Sequence, residues 1–333
     1  MNIVVFGPDH RVGALVGDEI VDINRAFTHF LVARGHPETA AAELAEARTP
    51  AALSRFIEAG RAALDDARLA VETATIADVP GLRHPAAATR IHAPWPGRRI
   101  ACAGGNYADH LLGMFRHRPG YEDATAAAIT ERTRESGQWG FWKVPHEVAG
   151  PGDPVVFPSR CTYFDYEGEV AVILGRRGKD IAAADADSYV WGVTLLNDWS
   201  KRDPSTNSPR AMSYNLQKNF DTSTSLGPCI VVDELDWRDI DVETRVNGTV
   251  RQRYNTGGMI FGFGEILEYL SADFTMVPGD VISGGTDAGT AADSTPPGPD
   301  GRRALDLFLK PGDVVEVGSP PIGLLRNTVV APH

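Results

Sequence analysis

Three Pro-Gly-Asp triplets, each followed at once by apolar β-forming residues, do most to narrow the folds open to this chain: Pro151-Gly152-Asp153, Pro278-Gly279-Asp280 and Pro311-Gly312-Asp313. Proline first and glycine second suit a type II turn, so each triplet predicts a turn that feeds a strand. The recurrence is local punctuation and not a solenoid period. Helical periodicity is scarce beyond residue 95; the clearest case is Ile260 to Leu270, with apolar residues at 263, 266, 267 and 270. A mostly antiparallel β core, coiled or barrel-like, fits this pattern better than a doubly wound α/β sheet.

The first part of the chain reads differently. A strand at Ile3-Val4-Val5-Phe6 and a second around Gly13 to Ile23 precede alanine-rich helical stretches. One helix is predicted to start at Thr49 as N-cap, with Pro50 at its first position. Pro80, Gly81, Pro85, Pro94, Pro96 and Gly97 then punctuate the chain as a linker would. The expected division is a small domain over 1–95 and a larger one over 96–333.

Glu167 and Glu169 stand one residue apart at the head of the apolar run Val170-Ala171-Val172-Ile173-Leu174. On a strand, i and i+2 share a face, so both carboxylates project together and repel unless a cation joins them. A lone pair of this kind is commonly just an acidic edge. A second apolar run, Val193 to Leu196, ends in Asn197-Asp198 and delivers a third carboxylate at a strand end. Three carboxylates with positions left for other oxygens suit a hard cation, Mg²⁺ or Mn²⁺ with Ca²⁺ also admissible. No Cys or His cluster has zinc spacing.

A net charge of −12 argues against a nucleic-acid or anionic-membrane partner, and no apolar run approaches a membrane span. Three scattered cysteines, Cys102, Cys161 and Cys229, fit a reducing, cytoplasmic setting. His110, in Asn106-Tyr107-Ala108-Asp109-His110 after a Gly-rich turn, is a candidate general base. Residues 116–140, charged and with a short helix expected near Ala124 to Glu135, are a candidate lid. Residues 284–303, almost all Gly, Pro, Asp, Thr, Ser, Ala and Arg, read as mobile, and equally as an idle surface loop.

Together these motifs resemble the fumarylacetoacetate hydrolase family. They are Tyr166-Glu167-Gly168-Glu169, Asn197-Asp198-Trp199-Ser200-x-Arg202-Asp203, Lys218-Asn219-Phe220-Asp221, Val246-Asn247-Gly248, Gly285-Thr286-x-Ala288-Gly289 and the closing Gly323-Leu324-Leu325-Arg326-Asn327. The resemblance implies an α+β fold: a mixed β-roll, barrel-like catalytic domain with a small N-terminal α/β domain, usually in a homodimer. It also implies a divalent metal on Glu167, Glu169 and Asp198, with His110 as base and Lys218 and Arg202 as catalytic cations. Lys143, Thr286, Arg202 and Lys218 are implied to contact a small oxo-acid substrate.

Three positions depart from the family pattern. Gly113 stands where many members carry a Glu that partners the His, Gly105 where many carry Arg, and Ser205 where Gln is frequent. In fumarylacetoacetate hydrolase proper the acid comes from a distant segment, and the resemblance leaves that route open here, with Glu122, Asp123, Asp287 and Asp293 as candidates among which no motif selects. Gly113→Glu is expected to raise, or at least not to abolish, hydrolysis of a simple acylpyruvate. Hydrolysis of a carbon–carbon bond in a β-diketone or acylpyruvate-type acid is the activity expected first. Decarboxylation or tautomerisation of a 2-oxo acid, and binding of metal and oxo-acid without turnover, are the rivals. Trp139, Phe141, Trp142 and Trp199 suggest a partly apolar substrate arm, though core packing suits Trp199 equally well.

Overall fold

The computed structural model describes residues 1–203, 214–232 and 235–332; Ser205 lies outside them. All three Pro-Gly-Asp triplets form the expected turns, with Gly152, Gly279 and Gly312 at φ of 82°, 87° and 99°. Each aspartate then closes its own turn. Asp153, Asp280 and Asp313 accept from the backbone N–H three residues earlier, at Gly150, Val277 and Lys310, each at 2.8 Å. Strands Pro154–Val156, Val281–Ser283 and Val314–Ser319 follow.

The fold is α+β, with two large open sheets among the described residues. One has eleven strands and the other five. Pairing is antiparallel except between Val281–Ser283 and Ile100–Gly104 and between Gly323–Val330 and Pro154–Val156. Neither sheet closes on itself, so the barrel-like form expected is a roll of open sheets. The large sheet runs across residue 95: Asn2–Phe6 pairs with Thr224–Val231, with Ile3 opposite Ile230. Helices Ile23–Ala33, Glu38–Arg48, Leu53–Glu58 and Gly60–Ile76 cover one face of it through Phe27, Phe56, Ile57 and Leu64.

Two N-terminal expectations are corrected. The segment from Gly13 to Ile23 is a hairpin, Arg11–Val16 and Glu19–Asp22, and Ile23 already opens a helix capped by Asp22. Thr49 ends a helix where a start was expected. It is the C-cap of Glu38–Arg48, its hydroxyl donating to Ala45 O at 3.1 Å, and the next helix begins at Leu53. A residue before proline is disfavoured in the α region, so Pro50 stops the helix behind it.

Elsewhere the patterns hold. Phe263–Ser271 is a helix that buries Phe263, Ile266 and Leu267. Ala126–Ser136 is a helix capped by Thr125. Arg134 donates to Glu265 and to the carbonyl of Ile260, which docks that helix against the start of helix Phe263–Ser271.

Candidate active site

Strand Gly168–Leu174 lies between Val190–Asp198 and Val281–Ser283. Glu167 precedes it by one residue, and the N–H of Asp198 donates to Glu167 O at 2.9 Å. Glu167, Glu169 and Asp198 are all buried, with one carboxylate oxygen from each within 4.8 Å of the others. Three ionised carboxylates away from water demand positive charge.

The protein supplies only part of it. Arg202 reaches Asp165 at 3.0 Å through Nε and bonds Glu167 through Nη2. Lys218 Nζ spends all three of its donors, on Glu167, on Asp198 Oδ2 at 2.7 Å and on Ser200 Oγ at 2.6 Å. Lys143, fully buried, bonds Asp198 Oδ1 and donates to Ser223 O at 2.9 Å. Burial alone would raise the Glu167 carboxyl, but Arg202 and then Lys218 outweigh it and hold it below the usual carboxylate range. Burial likewise opposes the charge on Lys218, and Asp198 and Glu167 override it and raise its hold on the proton.

Glu169 is left out of this compensation. Its one hydrogen bond among the described residues comes from the hydroxyl of Ser283. Burial, then Asp198 and Glu167, push its carboxyl well above the ordinary range. One buried carboxylate thus has no ion pair with a described residue, beside two others with oxygens in reach. That donor set, oxygen-only and short of positive charge, fits a divalent hard cation.

His110 sits in the first turn of helix Ala108–Phe115. Asn106 staples the start of that helix, its side chain bonding Phe261 N at 2.8 Å and the carbonyls of Phe261 and Gly284 at 2.9 Å each. The acid that meets His110 is Asp293, with Nδ1 to Oδ2 at 2.7 Å. Asp293 is itself held by the N–H groups of Gly289 and Thr290 and by Ser294 Oγ. A carboxylate accepts only, so Nδ1 carries the proton and Nε2 is left for substrate. Of the other acids considered, Glu122 bonds Gly120 N at 2.8 Å and Asp287 bonds Ala288 N at 2.7 Å. Residues 284–303 thus carry the acid that meets His110.

Asp165 joins the two halves. Besides Arg202, it accepts from the N–H groups of Ala291 at 2.8 Å and Ala292 at 3.1 Å, at the head of the short helix bearing Asp293. Gln252, buried in mid-strand, clamps Gly168 N at 3.0 Å and Thr286 Oγ1 at 2.7 Å. Neither was singled out from the sequence, and for Gln252 no local signal exists. The Thr286 hydroxyl in turn donates to Gly168 O at 2.9 Å.

The geometry overturns the expectation for Gly113. A Cβ there would lie 2.7 Å from Asp293 Cβ and 3.0 Å from Asp293 O. The missing acid and the glycine are one arrangement: the carboxylate arrives from another segment through the space a side chain would fill. Gly113→Glu is expected to destabilise the fold by about 1–3 kcal/mol through overpacking and to lower turnover. A thermal melt beside an activity assay checks both, and a variant as stable and active as the parent counts against the packing argument.

His110, Glu167, Glu169, Arg202, Lys218 and Thr286 line one cavity of about 160 Å³. That is small beside the ~300–1,000 Å³ of clefts for drug-sized ligands. Trp139 and Phe141 contribute to its wall; Trp142 packs on Phe274 instead, and Trp199 is core, stacked on Phe164. Lys143 lies behind Asp198, outside the residues that line the cavity. No helix among the described residues is long and apolar enough to cross a membrane.

The family described as "Fumarylacetoacetate (FAA) hydrolase C-terminal" matches residues 99–330. Oxaloacetate tautomerase YisK of Bacillus subtilis is 35% identical over 247 residues, 72% of this chain and 73% of its own. The human mitochondrial oxaloacetate tautomerase FAHD2B is 32% identical over 283 residues, 84% of this chain and 80% of its own. Among solved structures, maleylpyruvate hydrolase from Sphingobium sp. SYK-6, in complex with manganese(II) and pyruvate, superimposes with a TM-score of 0.69. It covers 100% of both chains at 24% identity, a likeness of fold alone.

Proposed function

The chain belongs to the fumarylacetoacetate hydrolase family, and on that footing we propose that it interconverts the keto and enol forms of a small 2-oxo dicarboxylic acid of the oxaloacetate kind. The observation that carries this reading is the buried His110–Asp293 dyad opening on the same small cavity as the carboxylate cluster. Two relatives at 35% and 32% identity, each named as an oxaloacetate tautomerase, support it.

Glu167, Glu169 and Asp198 would hold Mg²⁺ or Mn²⁺, with Ca²⁺ also compatible with the oxygen set, and such an ion supplies Lewis-acid stabilisation of an enolate. His110 Nε2 takes the proton from the carbon next to the oxo group and returns it at the enolate oxygen, or the reverse. Asp293 fixes the tautomer through Nδ1 and stabilises the imidazolium while the proton is held there. Lys218 and Arg202 supply fixed positive charge beside the developing oxyanion. Lys143 seats Asp198, Gln252 seats Thr286, and the apolar wall of Leu111 and Phe141 excludes water from the transferred proton. Assembly as a homodimer is part of the proposal, and light scattering reads it.

Adding enol oxaloacetate to the protein with Mg²⁺ or Mn²⁺ tests the reading. Loss of the enol's ultraviolet absorbance and solvent-deuterium exchange at C3 should both outrun the buffer rate. Carbon–carbon hydrolysis of a 2,4-dioxo acid is the second reading, because the same dyad can activate a water. Acylpyruvate cleavage with no acceleration of enol decay would replace the tautomerase assignment by the hydrolase one, and stoichiometric release of carbon dioxide would replace it by decarboxylation.

A further inference from the structure

Five cationic side chains of Arg and Lys line the cavity, and they divide into two kinds. Arg202 and Lys218 are paired with buried carboxylates. Arg118, Lys201 and Arg303 form no ion pair with any described residue. Arg118, just past the C-terminus of the His110 helix, has its guanidinium 4.5 Å from the Phe115 ring centroid. Lys201 Nζ lies 5.1 Å from that of Phe220. Arg303 Nη1 donates to the carbonyls of Ala292 and Thr295, neutral acceptors that fix the side chain without neutralising it. Its Nε and Nη2 donors have no partner among the described residues.

We propose that Arg303, with Arg118 and Lys201 around it, is the seat for the second carboxylate of the substrate. The proposal deepens the tautomerase reading and rests on it for the identity of the ligand. Elsewhere in the protein, most arginines meet an acid: Arg11 with Asp22, Arg48 with Asp66, Arg99 with Asp280. A half-buried guanidinium that lines one cavity with two other cations lacking ion pairs among the described residues is therefore a standing cost unless an anion arrives. Burial, then Arg202, weaken the hold of Arg303 on its proton by more than Asp165 strengthens it. Arginine's planar fork matches a carboxylate in two hydrogen bonds. One carboxylate of a 2-oxo diacid would engage the acidic-cluster end with the oxo group, and the other would project to this cationic end. The same segment thus serves twice: Asp293 orients the base, and ten residues on Arg303 reads the length and charge of the substrate.

Calorimetric binding, in buffer with Mg²⁺, of 3,3-difluoro-oxaloacetate and of its 4-methyl ester tests this without turnover, since neither has a C3 proton to lose. The parent protein should prefer the diacid by about tenfold or more, the range of a charge-assisted hydrogen bond. Arg303→Gln should bring the diacid-to-ester ratio close to one, and Arg303→Lys should restore part of it. Because Arg303 also ties two carbonyls near Asp293, Arg118→Gln is the second variant; that side chain is exposed, and the ratio should fall by a smaller factor. An unchanged ratio in both Arg303→Gln and Arg118→Gln overturns the proposal. So does equal loss of both ligands in Arg303→Gln with no change in Arg118→Gln, or a parent protein with no preference. A parent that prefers the difluoro diacid yet exchanges no C3 proton of oxaloacetate itself counts against the tautomerase reading and not against this seat.

Discussion

His110→Ala is expected to lower turnover of the preferred 2-oxo acid by about 10²–10⁴-fold, the usual contribution of a positioned general base. Substrate affinity should change far less, because in the proposed reaction the ring would meet the transferred proton and not the substrate carboxylates. Asp293→Asn is expected to approach the same loss. The amide can still accept from Gly289 and Thr290, so the segment keeps its shape. It no longer holds Nδ1–H against a negative charge, and the imidazolium formed during transfer loses its stabiliser. Steady-state kinetics on both variants, with circular dichroism to verify the fold, decide the matter. Full activity in His110→Ala means that the base is elsewhere; full activity in Asp293→Asn means that the dyad is structural only.

The second large effect is a difference of sign at the carboxylates. Glu167 is bonded to Arg202 and Lys218, so Glu167→Gln strands buried cations and should cost the metal-free protein about 3–5 kcal/mol. Glu169 has no ion pair with an Arg or Lys among the described residues and is crowded by two acids, so Glu169→Gln removes repulsion and should leave the metal-free protein as stable or more so. Both variants should lose metal-dependent activity and the rise in melting temperature that Mg²⁺ or Mn²⁺ gives the parent, a rise that follows ligand concentration by mass action. Melting curves with EDTA and with added metal read all of this. Equal destabilisation of the two variants without metal would show that Glu169 has a counter-charge, and parental activity in EDTA would remove the metal from the reaction.

Legibility from the sequence followed the range of the interaction. The pair Glu167 and Glu169 was readable because strand geometry alone puts i and i+2 on one face, and the Pro-Gly-Asp turns because proline and glycine restrict their own backbone. Helix Phe263–Ser271 was readable from its apolar spacing. Thr49 misled because a Thr-Pro step suits a helix start and a helix stop alike, and only the preceding Glu38–Arg48 helix makes it a stop.

Sequence by itself determined the strand-rich architecture, which follows from local spacing, and marked the three carboxylates and the histidine as candidates, which motifs spread along the chain single out. Tertiary structure alone decided which acid orients His110. Asp293 lies 183 residues further on, and nothing local distinguishes it from Glu122, Asp123 or Asp287. It also decided that Gly113 is the space Asp293 needs, that Lys143 backs Asp198, and that Arg303 faces the cavity without an ion pair to any described residue. The reason is physical. Charge compensation and steric exclusion act over a few ångströms in space, and only the folded chain sets which residues lie that close.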